Sequence, residues 1–231
     1  EIEVGKLEVI YKHVDGERCE PVEEVTIIVP ETYLGVITQE IGKRNGQLIK
    51  MEPLHNSEIQ FIYHMPTRTI IGLRNLLLTA TNGTVVFHSQ FLSYQPAGKT
   101  LPQLRSGVLI ASQCGDALAY GLEAAQERGK TFSDPGEAVY QGMIVGQNSR
   151  SEDIEVNVTK GKQLTNMRSK SSDGVIQLAP SIKFSLEQSL DFLEDDELLE
   201  VTPLSLRLRK KYLSDIERRR HSRQARFEEV K

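Results

Sequence analysis

Tryptophan is absent from this 231-residue chain, and seven tyrosines with seven phenylalanines bring aromatics to only 6%. Its cores must therefore be aliphatic. Cysteine is almost as scarce. Cys19 and Cys114 lie far apart, form no C-x-x-C and have no histidine close by in sequence. That excludes a disulfide framework and a zinc ribbon, and leaves two reduced thiols as the expectation. The five histidines, His13, His55, His64, His88 and His221, show neither H-x-x-x-H nor H-E-x-x-H spacing, which excludes the helical metal-site motif. His64 and His88 fall in predicted strands as outward-facing residues. No run approaches the ~18 apolar residues of a membrane-spanning helix, and no signal-peptide pattern opens the chain. Without secretion, the N-x-[ST] matches at Asn82 and Asn157 are chance. A global excess of positive charge is lacking too. Net charge is -4 and pI ≈ 5.8, which excludes a uniformly basic nucleic-acid binder but not a patchy one.

What is present is an ordinary globular composition, 39% hydrophobic and 26% charged. Its length favours two domains. The chain opens at Glu1 rather than Met, so a segment of something longer is expected. "VEEVTIIVP" (22–30) reads as a strand, and "TYLGVITQEIGKRNG" as a helix with Leu34, Ile37 and Ile41 on one face and Asn45-Gly46 as its stop. "QLIKMEPL" and "SEIQFIYHMP" read as strands joined at His55-Asn56-Ser57. "TIIGLRNLLLTATNG" (69–83) reads as a second helix and "TVVFHSQFLSY" as a closing strand. Strand, helix, strand, strand, helix, strand is the split βαβ, ferredoxin-like pattern. It predicts an α+β domain over 22–95, after a trailing segment of a preceding domain at 1–21.

Residues 96–107 are a linker by their proline and glycine content. The region 108–231 predicts a second, β-rich α+β domain. The alanine-rich centre of 107–130 is compatible with a short helix or with two strands. "AVYQGMIVGQNS" and "EDIEVNVT" read as strands, and "GVIQLAPSIKFS" as two short strands around Pro180. "SLEQSLDFLEDDELLEV" (185–201) reads as one helix, with Ser185 and Gln188 at capping-box spacing. "SLRLRKKYL" is a last strand or short helix. Residues 214–231 form a basic tail, helical at first.

Charge is placed unevenly. Between Glu187 and Glu200 stand seven acids and no base; between Arg207 and Arg226 stand nine bases against Asp215 and Glu217. The acidic run lacks the spaced oxygen ligands and glycine of an EF-hand, so it reads as the solvated face of a helix. Gly98-Lys99-Thr100 and Gly129-Lys130-Thr131 resemble the end of a phosphate-binding loop. Such a loop needs a glycine where Ser93 and Ala124 stand, so both are expected to be plain surface loops. No spacing supports a catalytic constellation. "TKGKQLTNMRSK" (159–170) holds Lys160, Lys162, Arg168 and Lys170 without an acid. Cations of this kind displace counterions from nucleic acid, and Gln163, Thr165 and Asn166 between them suit phosphate, ribose or base edges. The alternative is a solvated hairpin tip. The tail raises the same question through Arg207, Arg209, Lys210 and Lys211, with packing on the acidic run as its alternative.

"VYQGMIVGQNSRSEDIEVNVTKGKQLTNMRSKSSD" and "LEQSLDFLEDDELLEVTPLSLRLRKKYL" closely resemble the C-terminal part of the TypA/BipA translational GTPases of bacteria and plastids. "EPVEEVTIIVPETYLGVITQEIGKRNGQL" and "MPTRTIIGLRNLLLTATNGT" are similar to the domain this family shares with elongation factor G, domain V. The resemblance spans essentially the whole chain. It implies that the GTPase domain, with GTP and Mg, lies N-terminal to these residues. This chain would then hold no cofactor and catalyse nothing itself. It implies a family-specific C-terminal domain whose basic loop reaches 23S rRNA and the acceptor arm of A-site tRNA. That loop maps onto 159–170, so Lys160, Lys162, Arg168 and Lys170 become the expected phosphate contacts, with Gln163, Thr165 and Asn166 at ribose or base edges. The first domain would sit near the GTPase-associated centre. The implied role is ribosome binding in large-subunit assembly and in translation under stress such as cold. The setting would be cytoplasmic, or the plastid stroma, with a monomeric chain and no membrane. The competing reading is a protein-interaction module in which the acidic run and basic tail contact protein partners.

Overall fold

The computed structural model describes residues 2–98, 105–161 and 176–229. They form two compact units, one of Leu7–Leu104 and one of Glu1–Lys6 with Arg105–Lys231. The first strand, β1 (Ile2–Gly5), belongs to the second of these.

The 7–104 unit contains β2 (Lys12–Val14), β3 (Glu17–Pro30), α1 (Leu34–Lys43), β4 (Gln47–Pro53), β5 (Glu58–Pro66), α2 (Thr67–Ile70), α3 (Leu73–Ala80) and β6 (Val86–Pro96). Its sheet is antiparallel in the order β4-β5-β3-β6, with β2 paired to the first three residues of β3. The split βαβ, ferredoxin-like topology is therefore present. Val25, Ile27 and Val29 of β3 and Ile59, Phe61, Tyr63 and Met65 of β5 alternate inward, onto Ile37 and Ile41 of α1 and Leu73 and Leu77 of α3. This core is aliphatic around a single fully buried phenylalanine, Phe61, as the missing tryptophan requires. Asn45 (φ 54°) turns the chain out of α1. Gly46 follows because a Cβ there would run into Ile41.

Two details differ from the sequence pattern. The helix predicted over 69–83 is two pieces, broken where Gly72 takes φ 73°. The first sheet strand begins at Glu17 rather than 22, because Lys12 pairs with Cys19 and extends the ladder backward. Residues 12–21 are thus part of this sheet rather than a trailing segment.

The second unit contains β1, β7 (Val108–Ala111), β8 (Gly115–Asp116), α4 (Ala119–Gln126), β9 (Gly129–Thr131), β10 (Ala138–Val139), β11 (Ile144–Asn148), β12 (Ile154–Val156), α5 (Leu186–Phe192), β13 (Glu197–Val201), β14 (Leu206–Lys210) and α6 (Asp215–Glu229). One sheet runs β12-β7-β11-β9, another β1-β13-β14, and β8 and β10 form a short ribbon. Every residue of β7 is buried because it is covered on both faces. Leu109 and Ala111 join Leu122 and Ala125 of α4, while Val108 and Ile110 join Leu193, Leu199 and Leu208. Phe132, Phe184 and Phe192 close that second cluster, with ring centroids 4.8–5.4 Å apart.

The alanine-rich segment is a helix, α4, flanked by strands. Gly129-Lys130-Thr131 is strand β9 with Thr131 buried, not a surface loop. Lys99 and Thr100 of the other triplet lie outside the described residues. Residues 176–185 form no strand. The helix predicted over 185–201 realises its capping box at Ser185 and Gln188 but stops at Phe192, and 197–201 is a strand. Beyond Leu193 the helical spacing of apolar residues fails: Glu197 and Leu199 point inward, the two-residue period of a strand.

Ile2–Gly5 completes the second unit's sheet against Leu198–Val201, with Val4 on the Leu199 cluster. Val4→Pro removes a ladder donor there. It is expected to cost about 1–3 kcal/mol, the penalty of an unmade backbone bond. The check is faster amide exchange in Leu198–Val201 together with a lowered melting temperature.

Candidate nucleic-acid interface

The hairpin of β13 and β14 lays the acidic run against the start of the basic tail. Glu197 faces Lys210, and Glu200 faces Arg207. Lys210 is 2% exposed, and its Nζ stands 2.6 Å from Asp153 Oδ2, 2.9 Å from Asp196 Oδ2 and 2.9 Å from Glu197 Oε1. Burial alone would push its ammonium down. The surrounding carboxylates, Glu197 foremost, outweigh that and hold its pKa above the ordinary lysine value. Glu197, equally buried, also receives Arg105 at 2.5 Å, and the Arg105 guanidinium lies over the Phe192 ring. Lys6 pairs with Glu194 at 2.8 Å. Arg209 pairs with Glu200 at 2.7 Å and Glu3 at 2.6 Å. The Tyr140 hydroxyl donates to Glu200 at 2.6 Å, and burial together with that carboxylate pushes its pKa far up. The Lys210–Glu197 and Arg209 Nε–Glu200 contacts are ion pairs by distance without hydrogen-bond alignment.

The acidic run is therefore not the solvated face of a helix. Glu194, Asp195, Asp196, Glu197 and Glu200 neutralise cations inside the unit, while Glu187 stays exposed on α5. Lys210 and Arg209, both candidate RNA contacts in the sequence, have their charged ends held by carboxylates. Arg207 is half-buried, with Nε enclosed and free of a hydrogen-bond partner. Lys211 is exposed.

Of the basic stretch, Lys160 is described and exposed. Lys162, Gln163, Thr165, Asn166, Arg168 and Lys170 lie outside the described residues. The chain leading into them is fixed. Val158 is buried, and its carbonyl accepts from Leu118 N–H at 2.9 Å. Asn157 Oδ1 accepts from Thr159 N–H at 3.1 Å and from its hydroxyl at 2.9 Å. Gly121 of α4 packs directly on the Val158 backbone, where any Cβ would collide. The chain coming back is fixed as well. Gln126, at the end of α4, donates Nε2 to the Ala179 carbonyl and accepts Ala179 N–H at Oε1, both at 2.9 Å. Lys183 pairs with Asp134 and Glu137, each at 3.1 Å. Sequence reasoning missed Gly121, Gln126 and Asn157. A glycine inside an alanine-rich helix was the available signal for the first; the other two carry none.

Among the described residues, no group of three or more His, Cys, Asp or Glu is arranged to hold a metal ion, and no helix is long and apolar enough to cross a membrane. Cys19 is buried and Cys114 exposed, both as thiols.

Lys210→Met leaves Asp153, Asp196 and Glu197 around an uncharged side chain. Breaking a buried ion pair on one side costs about 3–5 kcal/mol, so the variant is expected to lose stability by that order in denaturant titration at neutral pH. Because the folded-state pKa of Lys210 is raised, its contribution is complete below about pH 10.4, the unfolded value. It is lost as pH rises through the folded value. The gap between wild type and variant should therefore hold from pH 7 to 10 and narrow above that.

Comparison with known proteins agrees with this two-unit organisation. Residues 17–104 match the family model of the elongation factor G C-terminus, and residues 106–215 match the TypA/BipA C-terminal domain. The chain is 43% identical over 224 residues to the large ribosomal subunit assembly factor BipA of Haemophilus influenzae, covering 96% of this chain and 36% of that protein. It is 42% identical over 224 residues to the protein of that name from Salmonella typhimurium, covering 96% and 37%. For the protein of that name from Bacillus subtilis the figures are 43% over 220 residues, 94% and 36%. The chain thus spans little more than a third of the length of the curated relatives it matches. With an elongation factor G-like ferredoxin fold followed by the family's own C-terminal domain, the chain belongs to the TypA/BipA family.

Proposed function

We propose that this chain is the ribosome-docking portion of a large ribosomal subunit assembly factor, and that its second unit contacts RNA through the stretch opening at Lys160. The observation that carries the reading is the identity of 42–43% to proteins named for that assembly role. Supporting it is the exposed Lys160 on a rigid base. Lys160, Lys162, Arg168 and Lys170 contact phosphates, and Gln163, Thr165 and Asn166 contact ribose or base edges. Lys211 and the half-buried Arg207 add charge beside them, whereas Lys210 and Arg209 serve inside. The RNA is 23S rRNA together with the acceptor arm of A-site tRNA, and the setting is the bacterial cytoplasm. GTP hydrolysis, with its Mg, belongs to parts of the family's proteins outside this chain and drives a role in assembly and stress-time translation.

The protein-interaction alternative relied on a free acidic run. Glu194, Asp196, Glu197 and Glu200 are paired within the unit, which leaves fewer free carboxylates for a protein partner.

The test is co-sedimentation of the chain with purified large subunits across a salt series, beside a Lys160, Lys162, Arg168 and Lys170 to Ala variant. RNA contact predicts that log affinity falls steeply with log salt, by about 0.7–0.9 per phosphate contact. The variant's slope should be shallower by about three units for four lost contacts. Equal slopes for the two proteins sink the loop assignment, and a flat slope for both favours a protein interface.

A further inference from the structure

The basic tail divides into cations that the fold consumes and cations that it displays. Arg209 and Lys210 are held by carboxylates, and Arg218 joins them. Its guanidinium meets Glu155 and donates to the Tyr212 and Leu213 carbonyls at 3.0 and 2.7 Å. His221 stacks on Tyr212, with centroids 4.6 Å apart. Arg218 and His221 thus clamp one side of α6. At 3.6 residues per turn, Arg219, Arg220 and Arg223 fall on the other side, within an arc of about 100°. All three are exposed, and Ile216 in the same arc is 80% exposed. These residues line a surface depression of ≈ 390 Å³. Arg219 shares its charge with Asp215 at 2.9 Å; Arg220 and Arg223 form no ion pair with a described residue. Glu217 falls about 60° outside this arc, three positions before Arg220, and forms no ion pair with it. The matched TypA/BipA domain ends at residue 215, where this helix begins.

An arginine row on a clamped helix differs from a frayed basic tail. Its backbone holds the roots of the side chains at fixed spacing, with Arg219 and Arg223 about 6 Å apart along the axis, so a ligand has to order the side chains but not the chain that carries them. Arginine offers several planar N–H donors that suit phosphate oxygens. The anchor also places the row. Glu155, which holds Arg218, lies on the strand that runs on to Lys160 five positions later.

We propose that the Arg219, Arg220 and Arg223 face of α6 is a second RNA-binding element, gripping the phosphate backbone of base-paired RNA independently of sequence. This extends the RNA-binding reading of the same unit, and rests on it only for the kind of ligand.

The test uses the full 231-residue chain and a fluorescein-labelled RNA duplex of about twenty base pairs, longer than the roughly 16-base-pair span of a double-stranded-RNA-binding domain. Binding is read by anisotropy across a salt series. The Arg219→Gln, Arg220→Gln, Arg223→Gln variant should bind at least tenfold more weakly at low salt. Its slope of log affinity against log salt should be shallower by about 2–3, at ~0.9 per duplex contact. The corresponding triple lysine variant should keep the wild-type slope. The Lys160-to-Lys170 alanine variant runs beside them. If it weakens binding and the glutamine variant does not, the helix proposal is wrong and the loop reading stands. If only the glutamine variant weakens binding, the helix proposal holds and the loop reading fails for duplex RNA. Absence of duplex binding by the wild-type chain at any salt overturns the helix proposal outright. Cross-linking of the wild-type chain to a 4-thiouridine duplex needs no variant: adducts on the 216–224 peptide support the proposal, and adducts confined elsewhere refute it.

Discussion

The second unit depends on one buried cation. Removing an ammonium from water costs several kcal/mol unless opposite charges and hydrogen bonds replace the solvent. Lys210 recovers this from Asp153 and from the consecutive Asp196 and Glu197 at the start of β13. Asp153 precedes β12, and its second oxygen accepts the Val108 N–H at 2.9 Å, so the same carboxylate fixes the start of β7. Asp196 lies in the turn before β13, where it reaches back to Lys211 N–H through its carbonyl at 2.8 Å. Glu197 opens β13 itself. The Lys210 ammonium thus ties the β12-β7-β11-β9 sheet to the β1-β13-β14 sheet, beside the Met143–Arg209 bridge between them. Arg105 and Lys6 complete the neutralisation from the sequence on either side of the 7–104 unit.

That arrangement explains the charge asymmetry of the sequence without a partner for most of it. A run of seven acids beside a run of nine bases looks like two interaction surfaces. Folding makes the two runs meet, and Arg209 and Lys210 are consumed by carboxylates where they do. Of the nine bases, those that reach solvent among the described residues are Lys211, Arg219, Arg220 and Arg223. On a chain of net charge -4, such a set acts locally. At physiological ionic strength the screening length is about 8 Å, so its field reaches a ligand already in contact and does little to steer a distant one.

The parts of the fold legible in sequence are those decided by local pattern. The alternation in "EIQFIYH" and the helical spacing of Leu34, Ile37 and Ile41 specify which faces are buried, and the ferredoxin-like order follows. The capping box at Ser185 is legible for the same reason. What misled was the stretch 185–201, where leucines at helical spacing run directly into residues at strand spacing with no glycine or proline between them. The break there is made by Glu197 turning inward to Lys210, and that contact cannot be inferred before the pairing of β13 with β14 is known. β1 was invisible for a related reason. Its partner lies almost two hundred residues away, between Ile2 and Val201, and four residues carry no periodicity. The candidate site divides likewise. Clustering of cations marked the right segments, yet composition counts Lys210 and Lys211 as equals, although one is buried by the inward side of the β14 pleat and the other is exposed.

The base of the basic stretch shows why its position matters as much as its charge. Helix α4 holds both ends: Gly121 bears on the outgoing Val158, and Gln126 clamps the returning Ala179. Five residues separate those two contacts, about 7.5 Å along the helix axis. The absence of a side chain at Gly121 is what lets the outgoing backbone come so near α4. A methyl group there would push Val158 outward and, through the Asn157–Thr159 turn, shift Lys160 with it. A residue with no side chain, Gly121, thus decides where the charge of Lys160 is placed.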